Sequence, residues 1–226
     1  MARVSPPGPR AVPAPEASPA SRKADRQDRR RQDILAATRR LLARDGPEAL
    51  SMAAVAAEAG IAKASLFYYF ADKSELIGNL ACDLVDEESA ALAAAVAAAP
   101  DAVGALEAML RTKVTLYLDD PERFAAAYLW PLVFGMPVSL VTGRLYAAGN
   151  RVNDPLEARL LAAQAEGRLH PEARCRLVVN NAWLQANGIL SFVQSLRRVG
   201  GDTRFGAEQL VEEACAAWRR ALAPPT

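Results

Sequence analysis

"ALSMAAVAAEAGIAKASLFYYFADKSEL", residues 49–76, contains four consecutive aromatic residues, Phe67 to Phe70, with a lysine on either side of the block. A helix of this length buries one stripe of its surface, so four adjacent rings leave some facing water. Ser51 is placed to cap a short helix that ends at Gly60, and a second short helix follows over about 63–70. Two short helices joined at "AGIA" have helix-turn-helix spacing, with Gly60 where the turn needs a left-handed residue.

The same spacing separates a buried and an open face on the second short helix. Leu66 and Phe70 lie four residues apart and therefore share one face, which is predicted to pack with Val55, Ile61 and the preceding helix. The open face and its edges keep Lys63, Ala64, Ser65, Phe67, Tyr68 and Tyr69. A recognition helix lies in the DNA major groove, where tyrosine rings contact thymine methyls and hydroxyls bind phosphates. Lys73, at the next helix start, can hold a phosphate.

Outward from this segment, every further element is predicted to be helical. Residues 1–24 are rich in proline and lack periodicity, which predicts a disordered arm. A helix is expected from Asp25 to Asp45, which makes 25–72 a DNA-binding domain, and a long helix from Lys73 to Ala99 opens a second domain, 73–226. The remaining amphipathic runs, separated by Pro or Gly, span roughly 102–118, 121–134, 139–166, 171–199 and 206–222, with a kink at Pro131. The prediction is an all-α fold of about nine helices.

Composition and charge agree with this division. The chain of 226 residues is 51% hydrophobic and rich in alanine, and residues 22–44 hold nine Lys or Arg against three Asp or Glu, although the net charge is only +1. A basic end on a nearly neutral chain indicates an anionic partner for that end. No apolar stretch is long enough for a membrane span, and three distant cysteines fit a reduced protein, so a cytoplasmic location is expected.

The segment around 30–80 resembles the signature of the TetR family of bacterial transcription regulators. The A-G, L-F-Y-Y-F and K-x-x-L elements stand at the mutual spacings that the family signature has. The resemblance implies that Ser51, Tyr69 and Lys73 contact phosphates and that Lys63, Ala64, Ser65 and Tyr68 approach bases. The chain departs from the family where Ala64 replaces a glycine, Ala62 replaces a capping serine and Phe67 replaces a tyrosine. These departures leave the operator sequence undetermined.

In this family the C-terminal helices dimerise and bind a small molecule, so the resemblance implies both for residues 73–226. The last two runs, 171–199 and 206–222, suit a homodimer interface of four helices, two from each subunit. The last run carries its apolar stripe: Leu210, Val211, Ala214, Ala217 and Trp218. Large or polar groups on aliphatic faces are the candidate pocket residues: Met109, Tyr117, Tyr128, Trp130, Phe134, Trp183, Gln185, Asn187 and Phe192. Few charges interrupt 124–142, which favours an aromatic or largely apolar ligand.

The protein is expected to be a DNA-binding transcription regulator. The favoured form is a repressor that a small ligand releases from double-stranded operator DNA. The single histidine, His170, lacks partners for a metal site or a catalytic pair, so no enzyme activity, metal or cofactor is expected. Two alternatives stay open. One is a ligand-independent DNA-binding protein that acts through protein partners, and the other is a small-molecule-binding helical protein or enzyme with an incidental basic end.

Overall fold

A computed structural model describes residues 19–201 and 204–225, and only the backbone of 19–22 and 198. Most of these residues are helical. The predicted all-α class is confirmed, and these residues form nine helices without any strand. The helices are α1 (Pro19–Asp45), α2 (Met52–Glu58), α3 (Lys63–Tyr69), α4 (Lys73–Ala98), α5 (Ala102–Leu118), α6 (Pro121–Phe124, Ala125–Leu129 and Trp130–Phe134), α7 (Val138–Leu140, Val141–Leu145 and Tyr146–Ala165), α8 (Cys175–Arg198) and α9 (Ala207–Leu222). None of them combines the length and the apolar composition that a membrane span requires.

The first helix starts earlier than predicted. It begins at Pro19 and not at Asp25, so residues 19–24 of the predicted arm are helical. Proline is favoured in the first turn of a helix, because its missing N–H would have no partner there and its φ angle is already helical. The remainder of the predicted arm, residues 1–18, lies outside the described residues.

Two helices contain a π-helical turn, in which the hydrogen bonds span five residues. In α6 the turn covers Ala125–Leu129, where the Trp130 N–H donates to the Ala125 carbonyl. Pro131 follows at once and has no N–H to continue the α-helical ladder, so the predicted irregularity takes the form of a π turn. In α7 the π turn covers Val141–Leu145.

The helix α4 runs through both halves of the molecule. Its first half shares one hydrophobic cluster with the N-terminal helices, which include the buried Ile34 and Leu66, and with α5 through Leu110. Its second half, from Leu92, packs in a further cluster with α5, α7 and α8. The N-terminal helices therefore rest on the same rigid element that forms one wall of the C-terminal domain.

Candidate nucleic-acid interface and effector cavity

The turn between α2 and α3 has the backbone that a helix-turn-helix requires. Gly60 has φ +62°, a left-handed conformation that favours glycine. The Ser51 hydroxyl caps α2 by accepting a hydrogen bond from the Ala54 N–H at 3.1 Å. The first turn of α3 has no such cap, because Ala62 supplies no side-chain oxygen.

The third helix buries two of its apolar side chains and exposes the rest. Leu66 and Phe70 are completely buried, as predicted, whereas Phe67 is 45% exposed and Tyr68 is 69% exposed. Lys63, Ala64 and Ser65 are also exposed, so the structure brings these predicted base-contacting positions onto one open surface. Tyr69 is half-buried and lies edge-on to Tyr68, with 5.2 Å between ring centroids. The rings of Phe67 and Tyr68 therefore form part of the surface and do not contribute to the core of the domain.

Lys73 has a partner inside the protein. Its Nζ atom lies 3.9 Å from the centroid of the Phe134 ring, and burial lowers the pKa of this lysine. Phe134, predicted to line a ligand pocket, is thus a contact between the end of α6 and the start of α4.

The N-terminal half of α1 adds a basic groove beside the recognition helix. A cavity of about 480 Å³ lies between α1 and the two tyrosines, Tyr68 and Tyr69. Its basic residues are Lys23, Arg26, Arg29 and Arg30, of which only Arg30 has a carboxylate partner within the described residues, Asp33 at 3.7 Å. Composition indicated a basic helix, but only the fold shows that this stretch borders α3.

Arg31 has a structural role instead. Its Nη1 donates to the Tyr69 carbonyl at 2.7 Å, and its guanidinium lies 4.2 Å from the Phe70 ring centroid. This arginine therefore fixes the end of the recognition helix against α1. Arg29 and Arg30 line the groove beside the two tyrosines, whereas Arg31 does not.

The C-terminal domain contains a cavity of about 580 Å³ between α4, α6, α7 and α8. Pockets of roughly 300–1,000 Å³ with mainly apolar walls are typical of small-molecule sites. Two of the predicted pocket residues line it, Tyr128 and Trp183. The other lining residues are Val85, Ala127, Pro131, Leu132, Met136, Val141, Leu145, Tyr146, Gly149 and Asn153, which the sequence alone did not single out.

The remaining predicted pocket residues lie elsewhere. Met109 is buried in the hydrophobic cluster that contains Leu92. Trp130 lines a small cavity of about 70 Å³ between α1, α4 and α6. Phe192 is 55% exposed on the outer face of α8, because a helical pattern cannot distinguish one apolar face from another. The side-chain Oε1 of Gln185 accepts a hydrogen bond from the Trp218 indole N–H at 2.6 Å. Asn187 has a buried Oδ1 with no hydrogen-bond partner in the described residues and does not line the cavity.

A buried polar network lies directly behind the cavity wall. Glu88 and Lys113 are both fully buried, with 2.6 Å between the Lys113 Nζ and the Glu88 Oε1. The hydroxyls of Tyr117 and Tyr128 each donate to Glu88 at 2.5 Å, and Lys113 also donates to the Tyr128 hydroxyl at 2.7 Å. Tyr117, predicted to contact ligand, therefore belongs to this network. The helical pattern does not indicate a buried Glu88, because a charged residue in such a pattern is normally assigned to the solvent face.

Two tyrosines of the network are expected to resist ionisation. Burial and the negative Glu88 raise the pKa of Tyr117 and of Tyr128 well above the usual tyrosine value of about 10. In the unfolded chain both would ionise near that value. The stability that they contribute is therefore complete below a pH of about 10 and is lost as the pH rises from there towards the higher pKa values of the folded protein. An alkaline titration followed by tyrosinate absorbance should leave two of the five tyrosines protonated until the chain unfolds. Ionisation of all five tyrosines in the folded protein would contradict this network.

The predicted dimer stripe on α9 divides between the interior and the surface. Val211 is buried within the protomer, Leu210 and Ala214 are partly buried against its core, and Trp218 is half-buried, so only Ala217 is exposed. The exposed apolar face lies mainly on α8, where Leu177, Leu184, Gly188 and Phe192 follow one another at helical spacing. The predicted interface includes this run, 171–199, but its residues are not singled out from sequence, because exposed and buried apolar stripes have the same periodicity.

Residues 34–80 match the family model for bacterial regulatory proteins, tetR family, and no curated protein sequence matches the chain. A solved protein with unknown function from Rhodococcus sp. RHA1 is 26% identical at a TM-score of 0.67, over 86% of this chain and 95% of that chain. A TetR family transcription regulator from Marinobacter aquaeolei VT8 is 21% identical at a TM-score of 0.62, over 89% and 100%. A TetR transcription regulator from Haloarcula marismortui is 16% identical at 0.66, over 87% and 99%.

The geometry and the matches define a class of protein. A helix-turn-helix domain is joined by one long helix to a helical domain with a cavity, which is the architecture of a DNA-binding regulator. The resemblance to the TetR family is confirmed by the match over 34–80 and by the shared fold. The chain thus has the DNA-binding domain and the fold of a TetR-family transcription regulator.

Proposed function

We propose that the protein is a homodimeric repressor that acts in the cytoplasm and leaves its operator when a small, largely apolar ligand enters the 580 Å³ cavity. The observation that carries this proposal is that α4 contacts both the recognition domain and the cavity. Residues 25–72 bind DNA in this scheme, and 73–226 bind the ligand and dimerise. The cavity also favours this function over a ligand-independent regulator, which needs no such space.

Dimerisation is supported by the exposed face of α8. A helix-turn-helix reads two half-sites about 34 Å apart when two copies are related by a two-fold axis. Leu184 is 66% exposed, and a methyl group on Gly188 would meet no atom within 4 Å in the protomer. An apolar face with a small residue at its centre permits close packing against the same face of a second copy.

The cavity and the DNA are coupled through residues 134–141, the segment in which α6 ends and α7 begins. Met136 and Val141 line the cavity, and Phe134, Met136 and Leu140 touch the start of α4. A methyl group on Gly78 would stand 2.8 Å from Leu140 Cδ1, so α4 and this segment are in tight contact. A ligand that displaces the segment would therefore move α4 immediately beyond the recognition helix.

A second contact joins the same elements. Arg144, in the π turn of α7, donates to Asp83 and to Asp86 on α4, each at 2.7 Å. Its neighbour Leu145 lines the cavity. The ligand shifts the equilibrium only by its difference in affinity between the two arrangements of α4. Release from the operator therefore requires that the ligand bind the arrangement with the wrong half-site spacing more tightly.

The DNA contacts are tested by two substitutions on α3. Tyr68→Ala removes a ring that is proposed to contact a base, so it should cost about 1–3 kcal/mol on the operator and relax sequence preference. Lys63→Ala should weaken operator binding and reduce its salt dependence, because a cation near the DNA is lost. Both are measured by fluorescence anisotropy with operator and scrambled DNA.

Arg168→Ala is the matched control, since it removes another exposed cation, from the loop after α7 and far along the chain from α3. It should leave operator affinity unchanged. Equal losses in Arg168→Ala and Lys63→Ala would show that only the overall charge matters and would contradict the assignment of α3 as the reading helix.

A further inference from the structure

The polar atoms around the large cavity restrict the chemistry of its ligand. Within the described residues that line it, none is Asp, Glu, Lys, Arg or His. The charged groups of Glu88 and Lys113 lie behind the wall formed by Tyr128 and Trp183. The Lys113 Nζ is 4.0 Å from the Tyr128 ring centroid and 4.1 Å from the Trp183 ring centroid.

These two charges satisfy each other and leave none for a ligand. Glu88 accepts hydrogen bonds from Lys113, Tyr117 and Tyr128, and the pair has no net charge. A carboxylate in the cavity would lose its hydration and stand near Glu88 without a free cation, and an ammonium would meet Lys113 in the same way. Burying an ion without a partner is costly, so the site disfavours both.

The amide of Asn153 leaves a hydrogen-bond donor free in the cavity wall. The Trp183 indole N–H donates to Asn153 Oδ1 at 2.6 Å, which fixes the orientation of the amide because only its oxygen can accept. The Asn153 Nδ2 has no partner within the described residues and lies 3.7 Å from where a methyl on Gly149, another lining residue, would stand. The Tyr128 hydroxyl is already used as donor and acceptor.

We propose that this cavity binds an uncharged, mostly apolar molecule whose oxygen acceptor, such as a ketone or ester carbonyl, takes a hydrogen bond from Asn153 Nδ2. The proposal rests on the ligand-responsive function proposed above and specifies the ligand of the same site. Selectivity comes from two features of the wall: the missing counter-charge excludes ions, and the free Asn153 amide N–H orients the acceptor.

The test is competition for the full-length protein between the uncharged dye N-phenyl-1-naphthylamine and three compounds of equal chain length at neutral pH. Decan-2-one should displace the dye at a concentration at least about tenfold lower than decanoate or decylammonium. Displacement by either ion at the same or a lower concentration would overturn this proposal and leave the ligand response intact.

Two variants assign the effect to the donor. Asn153→Asp keeps an oxygen for Trp183 but replaces the free N–H with a carboxylate, so decan-2-one should bind about tenfold more weakly and decylammonium should become the preferred competitor. Asn150→Asp makes the same change at an exposed position of α7 that does not line the cavity, and it should change neither. An unchanged order of preference in Asn153→Asp would overturn the role of this residue.

The two levels of the proposal fail differently. If neither the dye nor any competitor binds, the ligand class and the ligand response are both overturned. If decan-2-one binds with the expected preference but leaves operator binding unchanged at saturation, the ligand class is supported and the release mechanism is contradicted. Operator affinity with and without saturating ketone is therefore measured in the same samples.

Discussion

Replacing Lys113 with Met is expected to lower the free energy of unfolding by about 3–5 kcal/mol. The substitution leaves Glu88 charged and fully buried, with only the hydroxyls of Tyr117 and Tyr128 as partners. Domains are typically stable by only about 5–15 kcal/mol, so this loss is a large share of the total. Urea unfolding followed by circular dichroism at neutral pH measures it.

A second variant separates loss of the charge partner from loss of packing. Adding Glu88→Gln to Lys113→Met removes the remaining buried charge and keeps an oxygen acceptor for the tyrosine hydroxyls. The double variant should recover more than half of the lost stability, because breaking a buried pair costs more than replacing both partners. A loss below about 1 kcal/mol in Lys113→Met would contradict the buried pair, since only exposed pairs contribute so little.

Replacing Leu184 with Glu is expected to produce a monomer and to reduce operator affinity at least about 100-fold, towards the non-specific level. At a two-fold interface the substitution places two carboxylates on facing helices, where they repel each other and lose hydration. A monomer reads one half-site only, so the affinity of the second is lost. Sedimentation velocity gives the oligomeric state, and anisotropy gives the affinity.

Val133→Glu provides the matched control for this second effect. Val133 is also a strongly exposed apolar residue, but it lies at the end of α6 and not on α8. The control should remain dimeric and retain its operator affinity. A Leu184→Glu protein that stays dimeric would place the interface on another face of the molecule.

The helix-turn-helix could be predicted from sequence because its determinants are local. Leu66 and Phe70 share a face through their spacing, Ser51 caps the helix that it precedes, and Gly60 takes the backbone angle that the turn needs. Each of these features depends on residues within a few positions. The exposure of Phe67 and Tyr68 follows once the two buried positions are assigned.

The cavity and its charge network could not be predicted in the same way. Helical periodicity tells which face is apolar, but it does not tell which helix covers that face, so Phe192 was assigned to a pocket and lies outside. Glu88 and Lys113 are 25 positions apart and meet only because α4 packs against α5. The π turn at Val141–Leu145, which turns residues of α7 towards the cavity, has no sequence signature of comparable strength.

The central claim is that the open face of α3 reads operator DNA. Its most direct test is to measure, over a range of salt concentrations, the affinity of the protein for DNA from upstream of its own gene. We expect selective binding, at least about 1,000-fold tighter than to scrambled DNA. The logarithm of its affinity should fall linearly with the logarithm of salt concentration, at roughly −0.9 per phosphate contacted. Equal affinity for both DNAs across neighbouring upstream regions, or affinity independent of salt, would contradict it.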